Sequence, residues 1–279
     1  MTEFPKVIGF VPTYNSESFI KKTLLGLANQ DYENFEVWIC DDASMDGTFA
    51  ICQDFASKHS NFKVMKNEKN FGWFQSSEIL WTMAAKESKY CFINPHDDLP
   101  FPDYVSELVE MLENNSEAVI AIPGMKNIHQ NGETKHSFFS EASGGIATSI
   151  RALKVAKRDI DYWWAAYHGL HRSTAVAKIL PVAKLLFGEK EFSVDLVWLV
   201  KMAFQGEFVT SKRILLQKNY LDKSLSASWS HNSINKTALW VAILREFRLA
   251  EIPSGEKNSL WKEVGALVIE KIKLRLPFI

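Results

Sequence analysis

Two adjacent acids, Asp97 and Asp98, end the run FINPHDDLPFP, where an apolar stretch meets His96 and three prolines, Pro95, Pro100 and Pro102. Carboxylates this close repel, and a folded protein offsets them with water, a basic neighbour or a divalent cation. A second acid pair, Asp41 and Asp42, opens DDASMDGT, and the polar run Pro12, Thr13, Tyr14, Asn15 with Glu17 follows an apolar stretch near the N-terminus. A single acid, Asp195, begins the helical-looking SVDLVWLVKMAFQG, and His231 lies in SLSASWSHNS. Such side chains can ligate a hard cation or take a proton as a general base. His96 with Asp97 would suit a metallohydrolase fragment, but that site needs further histidines at helical spacing and none is nearby.

These residues must be carried by strands and helices in alternation. Up to residue 123, the β-rich runs KVIGFVPT, FEVWICDD, FKVMKN, YCFINP and AVIAIP alternate with four stretches of helical apolar spacing, the pattern of βαβ units and a mostly parallel sheet. Ligands of open α/β sheets collect at the carboxyl ends of strands, and three of these ends carry the polar clusters, implying one crevice. Residues 124–150 read as hairpin or loop, and RDIDYWWAAYHGLHRS is unusually aromatic. In the next helix Leu196, Leu199, Val200 and Ala203 form an apolar face, and two helices flank IPSGEKNS near the C-terminus.

With 279 residues, 47% hydrophobic and 23% charged, the chain has the make-up of a folded globular protein and not of a disordered one. A net charge of −1 gives no electrostatic footprint for nucleic acid. Cys40, Cys52 and Cys91 are odd in number, lack C-x-x-C spacing and lie in apolar runs, which predicts a reducing, cytoplasmic setting without disulfides or structural zinc. Neither a secretory leader nor a spanning segment is predicted.

The joint order of VPTYN, DDASMDGT, NFGW and an apolar strand running into a double acid followed by PFPDYV resembles the inverting nucleotide-sugar glycosyltransferases of family 2, which have the GT-A fold. The resemblance covers residues 5–123 well and 165–230 loosely. It implies an α/β, Rossmann-like GT-A domain over 1–230, with a nucleotide-sugar-binding half (1–123) and an acceptor-binding half (124–230), followed by a C-terminal helical extension (231–279). It further implies that Pro12, Thr13, Tyr14, Asn15, Glu17, Asp41, Asp42 and Asp97 bind the nucleotide. Mn²⁺ or Mg²⁺ on the donor diphosphate falls to Asp98, with His231 as a further ligand on a loop that orders over the donor. Asp195 takes the place of the general base, where relatives carry Glu-Asp and this chain has Val194. Pro95, where relatives often carry an acid, and FQSSEILW, where many carry Ala-Arg-Asn, are departures.

The implied reaction moves a sugar from a nucleotide diphosphate donor, expected to be a UDP sugar, to a saccharide or lipid-linked saccharide, as in bacterial surface polysaccharide synthesis. Trp163, Trp164, His168 and His171 are the expected acceptor-binding residues, because aromatic faces pack on pyranose rings. The C-terminal run SLWKEVGALVIEKIKLRLPFI reads as a basic amphipathic helix suited to peripheral contact with the inner face of the membrane, or to docking on its own domain or a homodimer partner. A sugar-nucleotide-binding protein that kept the fold but lost turnover is the alternative. A nucleotidyltransferase would show a Gly-rich, basic loop after the first strand, and VPTYNSES is neither.

Overall fold

The computed structural model describes residues 4–139, 146–221 and 228–275, with side chains through residue 269. The first half is a βα alternation: β1 (Val7–Thr13), α1 (Ile20–Ala28), β2 (Phe35–Asp41), α2 (Thr48–Ser57), β3 (Phe62–Lys66), α3 (Trp73–Glu87) and β4 (Tyr90–Ile93). A two-residue strand, β5 (Leu99–Pro100), and α4 (Tyr104–Glu113) lead into the long β6 (Ala118–Ile128), which turns back as β7 (Thr134–Ser137). After α5 (Thr148–Lys157) come a 3₁₀ helix (Trp163–His168), β8 (Leu170–Arg172), α6 (Ser173–Ile179), α7 (Val194–Ala203) and β9 (Glu207–Asn219). Two helices, α8 (Ser233–Leu249) and α9 (Ser254–Arg275), follow.

Among the described residues the strands form one sheet in the order β3-β2-β1-β4-β8-β6-β9-β5, with β7 paired to β6. β1 is parallel to β2 and β4, and its apolar side chains are buried on both faces, as helix-covered parallel strands require. Gly9 leaves room there for Phe92, whose ring stacks on Phe35 at 5.9 Å; a Cβ on Gly9 would lie 2.6 Å from that ring. The sheet is mixed overall. β8 is antiparallel to both β4 and β6, because it enters from the 3₁₀ helix and not from a crossover helix.

The predicted hairpin in residues 124–150 is the β6–β7 pair; residues 140–145 lie outside the described residues. α7 differs from a one-faced helix. Eight of its ten residues are buried, all but Asp195 and Lys201, because α5, α6 and α8 pack around it. Leu239, Ile243 and Phe247 of α8 and Leu260 and Val264 of α9 join the same core as the sheet. Glu256 at the start of α9 accepts from the Ser149 N–H of α5 at 3.1 Å. Trp261, Val268 and Ile269 of α9 stay exposed.

Gly169 links the 3₁₀ helix to β8 where the chain passes the Ala121 carbonyl; an added Cβ would approach that oxygen to 2.5 Å. Backbone cannot yield as a flexible side chain can. Gly169→Ala is expected to lower stability by about 1–3 kcal/mol, read as a lower thermal midpoint.

Candidate active site

Asp97 and Asp98 are held by neighbouring peptide groups and face different surroundings. Asp98 is fully buried: the Asn219 N–H donates to Oδ1 at 3.0 Å and the Lys218 ammonium to Oδ2 at 3.3 Å. Asn219 also donates its amide to the Asp97 carbonyl, and Leu99 pairs with Gln217, so the turn after β4 is laced to the end of β9. Burial pushes the Asp98 carboxyl up to about 6 against the pull of Lys218. Burial works against the Lys218 ammonium, but Asp98 and Asp97 outweigh it and keep its pKa above the ordinary lysine value. The half-buried Asp97 carboxylate makes no hydrogen bond or ion pair among the described residues.

The turn is also fixed to β1. His96 Nδ1 lies 3.4 Å from Thr13 Oγ1, its ring packs edge-on against Phe19, and its carbonyl accepts from Thr23 at 2.8 Å. Burial keeps its pKa below the usual histidine value although Asp97 pulls it upward, which favours the neutral ring. Thr13 in turn accepts from the Asp42 N–H through its carbonyl at 2.8 Å. The ends of β1, β2 and β4 therefore meet, as the crevice expectation required.

The residues expected at the nucleotide divide into two kinds. Asp42 is a clamp: Oδ1 accepts from Asn67 (2.7 Å) and the Phe71 N–H (3.0 Å), and Oδ2 from the Gly72 N–H (3.0 Å). Glu17 accepts from Gly47 at 2.6 Å and Asn15 from Met45 at 2.9 Å, so both shape the loop after β2. Asp41 is different. Its Oδ2 takes the Ser44 N–H at 3.0 Å, while Oδ1 is buried with no hydrogen-bond partner among the described residues. Pro12 is the next-to-last residue of β1, and Tyr14, just past the strand's end, is exposed.

Asp195 sits in the first turn of α7, after Ser193 in a left-handed backbone conformation (φ 49°). Its Oδ1 is buried without a hydrogen-bond partner among the described residues, and burial raises the carboxyl to about 6 against the pull of the Leu196 N–H, Arg158 and Lys218. A carboxylate with that pKa accepts protons near neutrality. The aromatic 3₁₀ helix connects the two carboxylates. Arg158, which acts on Asp195, lies over the Trp163 ring at 5.2 Å, and Lys218, bonded to Asp98, lies over Trp164 at 5.5 Å and Tyr220 at 5.7 Å. His168 Nδ1 is 4.0 Å from Asp98 Oδ2, too long for a hydrogen bond, and is buried without a partner among the described residues. Its pKa is held well below the usual value by burial, with Lys218 and His171 adding to the effect.

Two expectations require correction. His171 is a core residue and not an acceptor contact: it is fully buried between Trp81 and Trp198, donates from Nδ1 to the Gly169 carbonyl at 2.9 Å and accepts from Trp198 at 3.4 Å. Asp98 and His231 do not form a ready-made metal pair. Both Asp98 oxygens are engaged, His231 is exposed and packs edge-on against Phe192, and no group of three metal-ligating side chains exists among the described residues. Of the run SLSASWSHNS (224–233), expected to order over the donor, residues 224–227 lie outside the described residues. Lys218 and Arg158, absent from the expected set, became visible only when folding placed them beside carboxylates more than thirty residues away.

Residues 10–171 match the sequence profile described as Glycosyl transferase family 2. The putative glycosyltransferase EpsE of Bacillus subtilis is 30% identical over 126 residues, 45% of this chain and 45% of that protein, so the chain spans under half of the relative's length. S. aureus TarS, solved in complex with UDP-GlcNAc, superposes with a TM-score of 0.69 at 18% identity, over 91% of this chain and 70% of that one. A mannosyltransferase of Pyrobaculum calidifontis, solved with GDP-Man and Mn²⁺, gives a TM-score of 0.55 at 14% identity, over 96% and 81%. These likenesses establish the GT-A fold.

Removing Lys218 leaves Asp98 as a buried, uncompensated charge. Lys218→Met is expected to cost roughly 3 kcal/mol in urea unfolding, and Asp98→Asn added to it to recover part of the loss, because the pair is then replaced instead of broken.

Proposed function

The chain belongs to glycosyl transferase family 2, and from that premise we propose that it moves a sugar from a nucleotide diphosphate donor to a saccharide or lipid-linked saccharide hydroxyl with inversion. A UDP sugar is the expected donor and bacterial surface polysaccharide the expected setting. The observation that carries this reading is Asp195: a part-buried acid at a helix start, raised to about 6, whose Oδ1 is enclosed with no hydrogen-bond partner among the described residues. It removes the acceptor hydroxyl proton while the acceptor oxygen bonds to the anomeric carbon. The bond to the diphosphate breaks with its electron pair, and the proton rests on Asp195.

Residues 1–123 form the donor half. The unpaired Asp41 Oδ1 accepts from a base N–H or ribose hydroxyl, and burying that atom without a donor is costly, so the pocket favours a ligand supplying one. Mn²⁺ or Mg²⁺ fits at Asp97, whose free carboxylate joined by donor phosphates is a usual set for a hard cation, with Asp98 in a positioning role. When bound, the cation neutralises charge growing on the leaving diphosphate. Trp163 and Trp164 stand between the two carboxylates as the acceptor platform, and residues 124–230 form the acceptor half.

The reading extends to the cytoplasm, where the buried, free Cys40, Cys52 and Cys91 stay reduced. α9, with Trp261, Val268 and Ile269 exposed, rests against the inner face of the membrane. No described helix is long and apolar enough to cross it.

Asp195→Asn is expected to lower transfer about 10²–10⁴-fold while UDP affinity stays the same. For the wild type, kcat/KM falls as pH drops through about 6, since protonation of Asp195 removes the base. Full transfer by the variant, or a flat profile to pH 5, removes the assignment. Calorimetric titration with UDP and Mn²⁺ checks the donor site: Asp97→Ala loses the metal-dependent part of binding, and no UDP binding by the wild type retires the donor reading.

A further inference from the structure

A cavity of about 620 Å³ lies between the end of α5, the start of α7 and the two C-terminal helices. Its floor is apolar, with Leu196 of α7, Leu239 and Ile243 of α8 and Val268 of α9. Its rim carries Lys157, Arg158 and Lys236, and among the described residues no acidic side chain lines it. Lys157 is paired with Asp159 at 2.5 Å. Arg158 and Lys236 have no ion-pair partner within 4.0 Å among the described residues.

The cavity touches the chemistry on one side only. Leu196 follows Asp195, and Arg158 acts electrostatically on the Asp195 carboxylate. The opposite wall leads to Val268, next to Ile269, and both are about half exposed on α9. A largely apolar interior, rim cations without an ion-pair partner among the described residues, the half-exposed Val268 and an Arg158 that acts on Asp195 from the cavity wall together match a phosphate ester of an isoprenoid-like lipid. A free sugar would leave the apolar floor and the cations unmatched.

We infer that this cavity is the acceptor subsite and that it takes the phosphate and first apolar units of a lipid-linked acceptor. The phosphate meets Arg158 and Lys236, the start of the lipid lies on Leu239, Ile243 and Val268, and the saccharide attached to the phosphate extends towards Asp195. The inference rests on the glycosyltransferase reading and names its acceptor class.

The test is calorimetric titration of the full chain with farnesyl phosphate below its micelle concentration, with farnesol and inorganic phosphate as comparisons and UDP titrated in parallel. Lys236→Glu reverses a rim charge, and Thr237→Trp narrows the mouth from an exposed position. Farnesyl phosphate is expected to bind more tightly than either comparison, and each variant to weaken it about tenfold without moving UDP affinity. Absent binding, or binding unchanged in both variants, overturns the inference even where UDP binds. Equal binding of inorganic phosphate or of farnesol overturns it too, because the cavity then reads only one half of the ligand. A chain that binds farnesyl phosphate as expected but not UDP upholds the lipid-phosphate site and retires the donor reading instead.

Discussion

The buried pair of Asp98 and Lys218 is the constraint on which the site depends. A carboxylate enclosed at the end of β4 is unfavourable alone, and the ammonium at 3.3 Å with the Asn219 N–H at 3.0 Å compensates it. Because those partners come from β9, the compensation fixes the turn after β4 against a strand 120 residues later in the chain. Trp164 and Tyr220 cover the ammonium on other sides, so the same interaction also orients the 3₁₀ helix. A pair of this kind adds little to net stability relative to an apolar replacement. Its contribution is positional.

Two cations tie the carboxylates of the site to its aromatic residues. Lys218 acts on both Asp98 and Asp195, and Arg158 joins Asp195 to Trp163. The consecutive tryptophans thus lie against cations that act on different carboxylates. At the end of β2 Asp42 is spent on three hydrogen bonds that fix residues 67–72, which leaves Asp41 as the acid of that pair with an oxygen unsatisfied among the described residues.

The βα alternation was legible because parallel strands buried on both faces leave continuous apolar runs such as KVIGFVPT, and all five predicted strands and four helices of the first half appear. The polar ends of β1, β2 and β4 were legible for the same reason: topology brings them together whatever the side chains do. The division of labour inside each acid pair was not. DD reads identically whether the first or the second carboxylate turns inward, and that depends on Lys218 and Asn219, far along the chain. Nor could spacing separate His168 from His171, which lie three residues apart. One lies beside Asp98 with an unpaired nitrogen, and the other is enclosed by Trp81 and Trp198. The antiparallel β8 was hidden because three residues carry no periodicity.

The adjacency of Asp97 and Asp98 makes the turn after β4 a length gauge. Side chains can be exchanged there, but the spacing between Asn94, whose amide donates to the Asp98 carbonyl at 3.1 Å, and the Leu99 pairing with Gln217 leaves no slack. Inserting or deleting one residue between them would swing the wrong carboxylate towards Lys218 and turn the other away from the crevice. Diversification of this segment is therefore open to substitution and closed to changes in length, whereas the tip of the β6–β7 turn at Gly132, with open space around it, can grow or shrink as long as His129 keeps its stack on Tyr220.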